Sequence, residues 1–210
     1  MRSSFCLLAA GLLLAAPYAM AEDGPPRLMS AALESAPWNA LSGGIAAFDV
    51  SIDEKGSIAR ADIVQDVAPY GGMLRDALPS WLFEPALSEG RPVPARVLVL
   101  GFFRPPMLNF PAPEAPRYKG VTAPDEIPWP TSVTAPAYPA NVVVGSAKVV
   151  MAVDISDRGA VLTIRVVGAA TPFDRVAADA LRQWKFRPAS RGNRQVVSRA
   201  FIVFSFAAPA

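Results

Sequence analysis

The chain of 210 residues is 52% hydrophobic and 18% charged, a balance that fits one or two folded domains and excludes a disordered or coiled-coil protein. Its 20 Lys plus Arg against 18 Asp plus Glu leave a net charge of +2, too small for a phosphate-binding surface, so nucleic acid is not an expected partner. With no His and a single Cys, the commonest general base, metal ligand and nucleophile pairs are missing, so neither an enzyme nor a cofactor is expected.

Arg2 is the only charge in residues 1–21, ahead of an apolar run over 5–16, Pro17, and the small-residue tripeptide Ala19-Met20-Ala21 before Glu22 and Asp23. This reads as a secretory signal peptide. The run is about 12 residues, whereas crossing a bilayer takes roughly 20, so an uncut membrane anchor is the alternative reading. Removal of residues 1–21 takes Cys6 with it, and the mature chain can occupy an oxidising compartment without disulfides.

An internal repeat organises the rest. Aligned without a gap, residues 48–103 and 151–206 share 16 identities, where composition alone would give roughly four. Gly56 matches Gly159, and Val64 matches Val167. The densest stretch sets Trp81-Leu82-Phe83-Glu84-Pro85-Ala86 against Trp184-Lys185-Phe186-Arg187-Pro188-Ala189.

In the first copy, Ala46, Phe48, Val50 and Ile52 alternate with their neighbours before the turn Asp53-Glu54-Lys55-Gly56, which predicts a strand and a hairpin. A helix from Ala68 follows without a capping side chain, with Gly71 and Gly72 in its first turn and Pro79 before Trp81, so it is expected to be short and irregular. Pro92 and Pro94 suit an edge position for the third strand. Next, residues 105–139 hold ten Pro, interrupted by Phe110, Tyr118, Trp129 and Tyr138. That stretch reads as an extended linker, and its aromatics predict that part of it lies against a sheet.

The second copy is locally cleaner. Val149, Met151, Val153 and Ile155 alternate up to the turn Ser156-Asp157-Arg158-Gly159, and residues 161–167 form the returning strand. Thr171, Pro172 and Asp174 supply a cap, a first-turn proline and an acid, predicting a helix from there whose apolar stripe is Val176, Ala177, Ala180, Leu181 and Trp184. A long third strand is expected over 196–206. Phe201 and Val203 lie opposite Ile202 and Phe204, so this strand is apolar on both faces, the second being covered by the linker aromatics or by the other repeat.

The fold class is therefore α+β: two tandem β-β-α-β units, each a three-stranded antiparallel sheet with one helix packed on a face. The expected organisation is a signal peptide at 1–21, a degenerate repeat at 35–104, a Pro-rich linker at 105–136 and a second unit at 137–207.

With Tyr138-Pro139, the strand from Val149, Gly159, the motif Ala180-Leu181-Arg182-Gln183-Trp184-Lys185-Phe186-Arg187-Pro188-Ala189 and the closing Phe204-Ser205-Phe206, the second copy resembles the C-terminal domain of the TonB family. The first copy is similar only through the repeat and lacks a Tyr-Pro pair. The resemblance implies a periplasmic domain of Gram-negative bacteria that takes an extended segment of a TonB-dependent outer-membrane receptor, or another envelope protein, as an added strand. It implies pairing of the guest with the third strand at Val196, Ser198, Ala200 and Ile202, with Arg199 beside it and Tyr138-Pro139 flanking it. No small-molecule substrate is implied. The chain departs from the energy-transducing pattern in having no His, no convincing membrane helix and two units, so an interaction module is expected over an anchored transducer in the inner membrane. A structural scaffold is the other competitor.

Other residues have simpler readings. Trp81, Phe83, Trp184 and Phe186 are expected in the core. Asp53, Glu54, Ser156 and Asp157 occupy hairpin turns, and their spacing does not suit a Ca²⁺ loop. Arg91, Arg194, Arg96 and Arg199 are shared bases near the third strands, read as solvated gatekeepers of an edge or as attractors of an acidic peptide or envelope polymer.

Overall fold

The protein is described by a computed structural model over residues 23–33, 43–103, 121–137, 139, 147–168 and 171–206. The leader lies outside these residues, as do Phe110, Tyr118 and Tyr138. In chain order the elements of the first half are β1 (Arg27–Ser30), β2 (Gly44–Ile52), β3 (Ile58–Gln65), α1 (Tyr70–Ala77), a 3₁₀ turn (Leu78–Ser80), β4 (Leu82–Glu84), β5 (Ala86–Ser88), β6 (Arg91–Val93) and β7 (Ala95–Phe103). Those of the second half are β8 (Trp129–Ser132), β9 (Ala147–Ile155), β10 (Val161–Val167), α2 (Asp174–Leu181), β11 (Lys185–Arg187), β12 (Ala189–Arg191), β13 (Arg194–Val196) and β14 (Ser198–Phe206).

Both hairpin turns close as their residues dictate. Asp53 Oδ1 accepts the amides of Lys55 and Ser57, and Ser156 Oγ accepts those of Arg158 and Ala160. Gly56 and Gly159 take positive φ at the ends of the turns. Before α2, Thr171 Oγ1 accepts the Phe173 amide while the Asp174 carboxylate accepts the Thr171 amide at 2.7 Å, so the predicted capping residues are used, although regular helix starts only at Asp174. The first helix is no shorter than the second, both having eight residues. Its start is secured by Asp66, whose Oδ1 accepts the Gly71 amide at 2.9 Å; this contact needs glycine, because a Cβ on residue 71 would sit 2.1 Å from that oxygen.

The expected pair of three-stranded sheets is corrected to one sheet of six strands in the order β10-β9-β14-β7-β2-β3. The halves join through β7 and β14, which run parallel from the pair Leu98–Ala200 to the pair Phe103–Ser205. The reason is the apolar character of these two strands on both faces. Residues 97–103 and 199–206 are all buried, and a strand that is apolar on both sides needs a covering layer on each. Pro92 and Pro94 do not mark an edge either. Pro92 belongs to the short β5-β6 hairpin, Pro94 breaks the chain before β7, and β7 itself is interior.

Leu98 corresponds to Phe201 in the repeat but pairs with Ala200. That one-residue stagger exchanges faces between the halves, because side chains alternate along a strand. One core lies under α2 and takes Met151, Val153, Ile202 and Phe204 from the second half together with Ile45, Leu98 and Leu100 from the first. The other lies under α1 and takes Phe48, Val50, Val97 and Val99 together with Val150, Ala152, Phe201 and Val203. The two helices therefore sit on opposite faces, and each core is built from both halves.

Two straps complete these layers. β1 pairs with β4, and β8 pairs with β11. The indole of Trp81 donates to the Ala32 carbonyl and that of Trp184 to the Thr134 carbonyl, each at 2.9 Å. Ile127, Trp129 and Val133 of the second strap are buried in the α2 core, and Leu28 of the first in the α1 core.

Candidate functional site

The third strand of the second half is not a free border. Ala200 pairs with Val153 on one side and Leu98 on the other, and Ile202 pairs with Met151 and Leu100. Ser198 pairs with Ile155, and Val196 lies outside β14, in the β12-β13 hairpin opposite Ala189. This corrects the expectation that Ala200 and Ile202 would pair with a guest strand, since their backbone groups are held between two strands of the chain itself. Pro139 is buried, and Tyr138 lies outside the described residues.

Arg199 is not a solvated gatekeeper. Its side chain is 6% exposed, its Nε donates to Asp154 Oδ1 at 2.6 Å, and its guanidinium also donates to the carbonyls of Pro25 and Pro26. It thus ties β14 to β9 and pins the start of the first strap. Asp154 in turn accepts from Thr163 Oγ1 and from Arg165, both on β10. Burial is the largest single influence on the Asp154 carboxyl and pushes its pKa up; the hydrogen bond and charge of Arg199, with the bonds from Thr163 and Arg165, outweigh it and hold the group below its ordinary 3.8. In the first half Arg96 is more open. It binds the buried carboxylate of Asp49 and lies 3.2 Å from Glu126 of the linker, and it too is not free.

Among the described residues the outer strands of the sheet are β3 and β10, the returning strands of the two hairpins. They differ in how well they are blunted. In β3 the pairing with β2 is interrupted by two irregularities, and Arg60 and Asp62 form an exposed ion pair along it. In β10 the only irregularity is at its start, and from Thr163 to Val167 the ladder is regular with Arg165 as its one charge. Leu162 and Val166 are 55% and 40% exposed. A regular, weakly charged margin is the one that can template another strand.

Beside β10 opens a cavity of about 770 Å³, bounded by the first strap at Asp23 and Arg27, by Glu84 of β4, and by Asp154, Arg165 and Arg199. A smaller one of about 550 Å³ lies at the matching place beside β3, with Asp49, Arg60, Asp62 and Arg96 in its wall. Among the described residues no group of three or more Asp, Glu, His or Cys gathers as metal ligands would. Sequence reasoning missed Asp154, Arg165 and Arg27. The recurrence of Arg96 as Arg199 in the repeat was the available signal, but only the pairing of the halves brings Pro25 and Pro26 to Arg199.

Residues 135–207, about a third of the chain, match the family model described as Gram-negative bacterial TonB protein C-terminal. Among solved structures, the solution NMR structure of the Pseudomonas aeruginosa TonB CTD is 26% identical over 38% of this chain and 84% of that one, with a TM-score of 0.32. None of the curated proteins matches. The region that begins just before Tyr138-Pro139 and ends with β14 thus carries the signature of the Gram-negative TonB C-terminal family.

Proposed function

We propose that the protein is an interaction module of the Gram-negative envelope, of TonB C-terminal type, that takes an extended segment of another envelope protein as an added strand on β10. The observation behind this reading is the regular, one-charge margin from Thr163 to Val167, while both third strands are taken up by each other. A six-stranded sheet with such a margin offers unpaired backbone N–H and C=O groups, and strand addition satisfies them in one step.

The same reading disfavours direct force transmission. Asp23 is already fixed to the folded body, its carboxylate accepting the amides of Glu89 and Gly90. Between the end of the apolar run at residue 16 and Asp23 there is room for a reach of only about 25 Å even if the leader stays uncut. A module so placed stays close to the membrane or diffuses freely.

The junction of β7 with β14 also favours a second reading, a scaffold that binds no strand, because it removes the margin that the resemblance implied. Immobilised protein challenged with envelope extract separates the two. Capture of a defined partner by the wild type, lost in Leu162→Lys or Val166→Lys and kept in Ile63→Lys, is the expected result. These positions are exposed, so the lysines leave the core intact and act only by charging the margin. Equal capture by all variants, or none by any, overturns the β10 reading.

A further inference from the structure

The two straps are built alike but anchored unequally. Each bulges at one residue, Met29 in β1 and Thr131 in β8, and each receives an indole N–H on a main-chain carbonyl. The second strap buries Ile127, Pro128, Trp129, Pro130, Val133 and Pro136. Between residues 23 and 33 the first buries only Pro26 and Leu28, and its Met29 is 57% exposed.

What holds the first strap is nearly all main chain. Arg199 of β14, itself only 6% exposed, donates to the Pro25 and Pro26 carbonyls at 3.3 and 3.0 Å, Lys148 of β9 donates to the Leu33 carbonyl, and Trp81 donates to the Ala32 carbonyl at 2.9 Å. β4 pairs with Arg27, Leu28 and Ser30. Such backbone groups are carried by any extended segment. The strap's own side chains matter at few places: Leu28 enters the α1 core, and the Asp23 carboxylate accepts the Glu89 and Gly90 amides at 2.7 and 2.8 Å. The Arg27–Glu84 pair is exposed and holds little. Toward β10 the strap borders the cavity of about 770 Å³, so that flank is open.

We propose that residues 23–33 are an exchangeable occupant of a groove on the α1 face, and that an extended segment of another protein, with a carboxylate five residues ahead of an aliphatic side chain, takes their place by pairing with β4. This groove is separate from the β10 margin and does not depend on it. Arg199, Lys148 and Trp81 hold the incoming carbonyls, the Leu28 position takes the aliphatic side chain, and the Glu89–Gly90 turn takes the carboxylate. Main-chain bonds supply the hold and the two side chains the selection. The chain's own strap is tethered and competes at a high effective concentration, so the groove stays closed until a better-fitting segment arrives. The strap of a second copy offers the same residues without the advantage of the tether, which disfavours exchange between copies.

Amide exchange in the full mature chain tests this without a variant: the hydrogen-bonded amides of 27–30 and 82–84 are expected to exchange about tenfold or more faster than those of 129–132 and 185–187, through local opening of the strap. A fluorescein-labelled synthetic peptide of residues 22–33 is the second probe. It should bind the Leu28→Ser chain about tenfold or more tightly than wild type, because the weakened strap competes less. The same peptide carrying Leu28→Ser or Asp23→Asn should bind that chain about threefold or more weakly. Equal exchange at the two straps, no binding of the peptide to the Leu28→Ser chain, or unfolding of that chain overturns the proposal, since each makes the strap a fixed part of the fold. Undiminished binding of the altered peptides overturns the stated pattern of the segment. Concentration-dependent association of the wild type that protects 82–84 overturns the foreign occupant in favour of a second copy.

Discussion

Phe83 of the first half meets Phe201 of the second edge to face, with ring centroids 5.3 Å apart. β4 follows α1 in the chain, whereas β14 belongs by sequence to the other repeat, so this contact fastens one half's helix layer to the other half's central strand. Phe201 is fully buried. Phe201→Ala is expected to cost about 3–5 kcal/mol, as other large-to-small core changes do. The expected consequence reaches both halves: calorimetry should show one cooperative transition, shifted downward as a whole. Two resolved transitions, or proteolytic release of a stable 137–207 fragment with native sheet content, would contradict the shared cores.

Arg199 and Asp154 make a second joint. Replacing Arg199 by Met leaves the largely buried Asp154 with only Thr163 and Arg165, and is expected to cost about 2–4 kcal/mol in urea unfolding. Replacing both, with Asp154→Leu added, should recover most of that loss, because the cost lies in stranding a charge more than in losing the pair. A single variant within about 0.5 kcal/mol of wild type would show that the pair contributes nothing to stability.

The same carboxylate gives a pH dependence of known sign. Its pKa in the folded state lies below the ordinary value of 3.8, so in that range the unfolded chain binds more protons than the folded one, and stability rises with pH. The contribution is fully present above the ordinary carboxylate range and is lost as pH falls through it toward the lower folded value. Asp154→Asn should therefore be less stable than wild type at neutral pH and should lose less stability on acidification. Melting temperatures measured at stepwise lower pH check this, and parallel curves for the two proteins would refute it.

Glycine chemistry offers a controlled comparison. Gly159 has φ of +79°, and a Cβ there would meet the Phe186 carbonyl oxygen at 1.8 Å, whereas Gly90 has φ of +71° and open space around it. Gly90→Ala should cost about 1 kcal/mol from backbone strain alone. Gly159→Ala should cost about 3 kcal/mol or more, since the hairpin must move off β11 as well. Chemical denaturation of the two variants side by side is the measurement, and equal losses would mean that the hairpin tip is not packed against Phe186.

Local chemistry determined a good deal. The turns at Gly56 and Gly159, the cap around Thr171 and Asp174, the buried Trp81, Phe83, Trp184 and Phe186, and the alternation in β2 and β9 follow from residues close together in the chain. Alternation, capping and turn propensity act over a few positions, so such features can be read directly. The doubly apolar third strand of the second copy was visible too, but apolarity does not say what covers a face. Whether Phe201 would meet the linker or the other repeat depended on how two strands about a hundred residues apart align, and no local rule fixes that register. Tertiary pairing alone placed β14 inside the sheet, buried Arg199 against Asp154, and left β3 and β10 as the outer strands of the sheet. It did so because joining β7 to β14 satisfies two backbones and covers four apolar faces at once, a gain available only when both halves fold together.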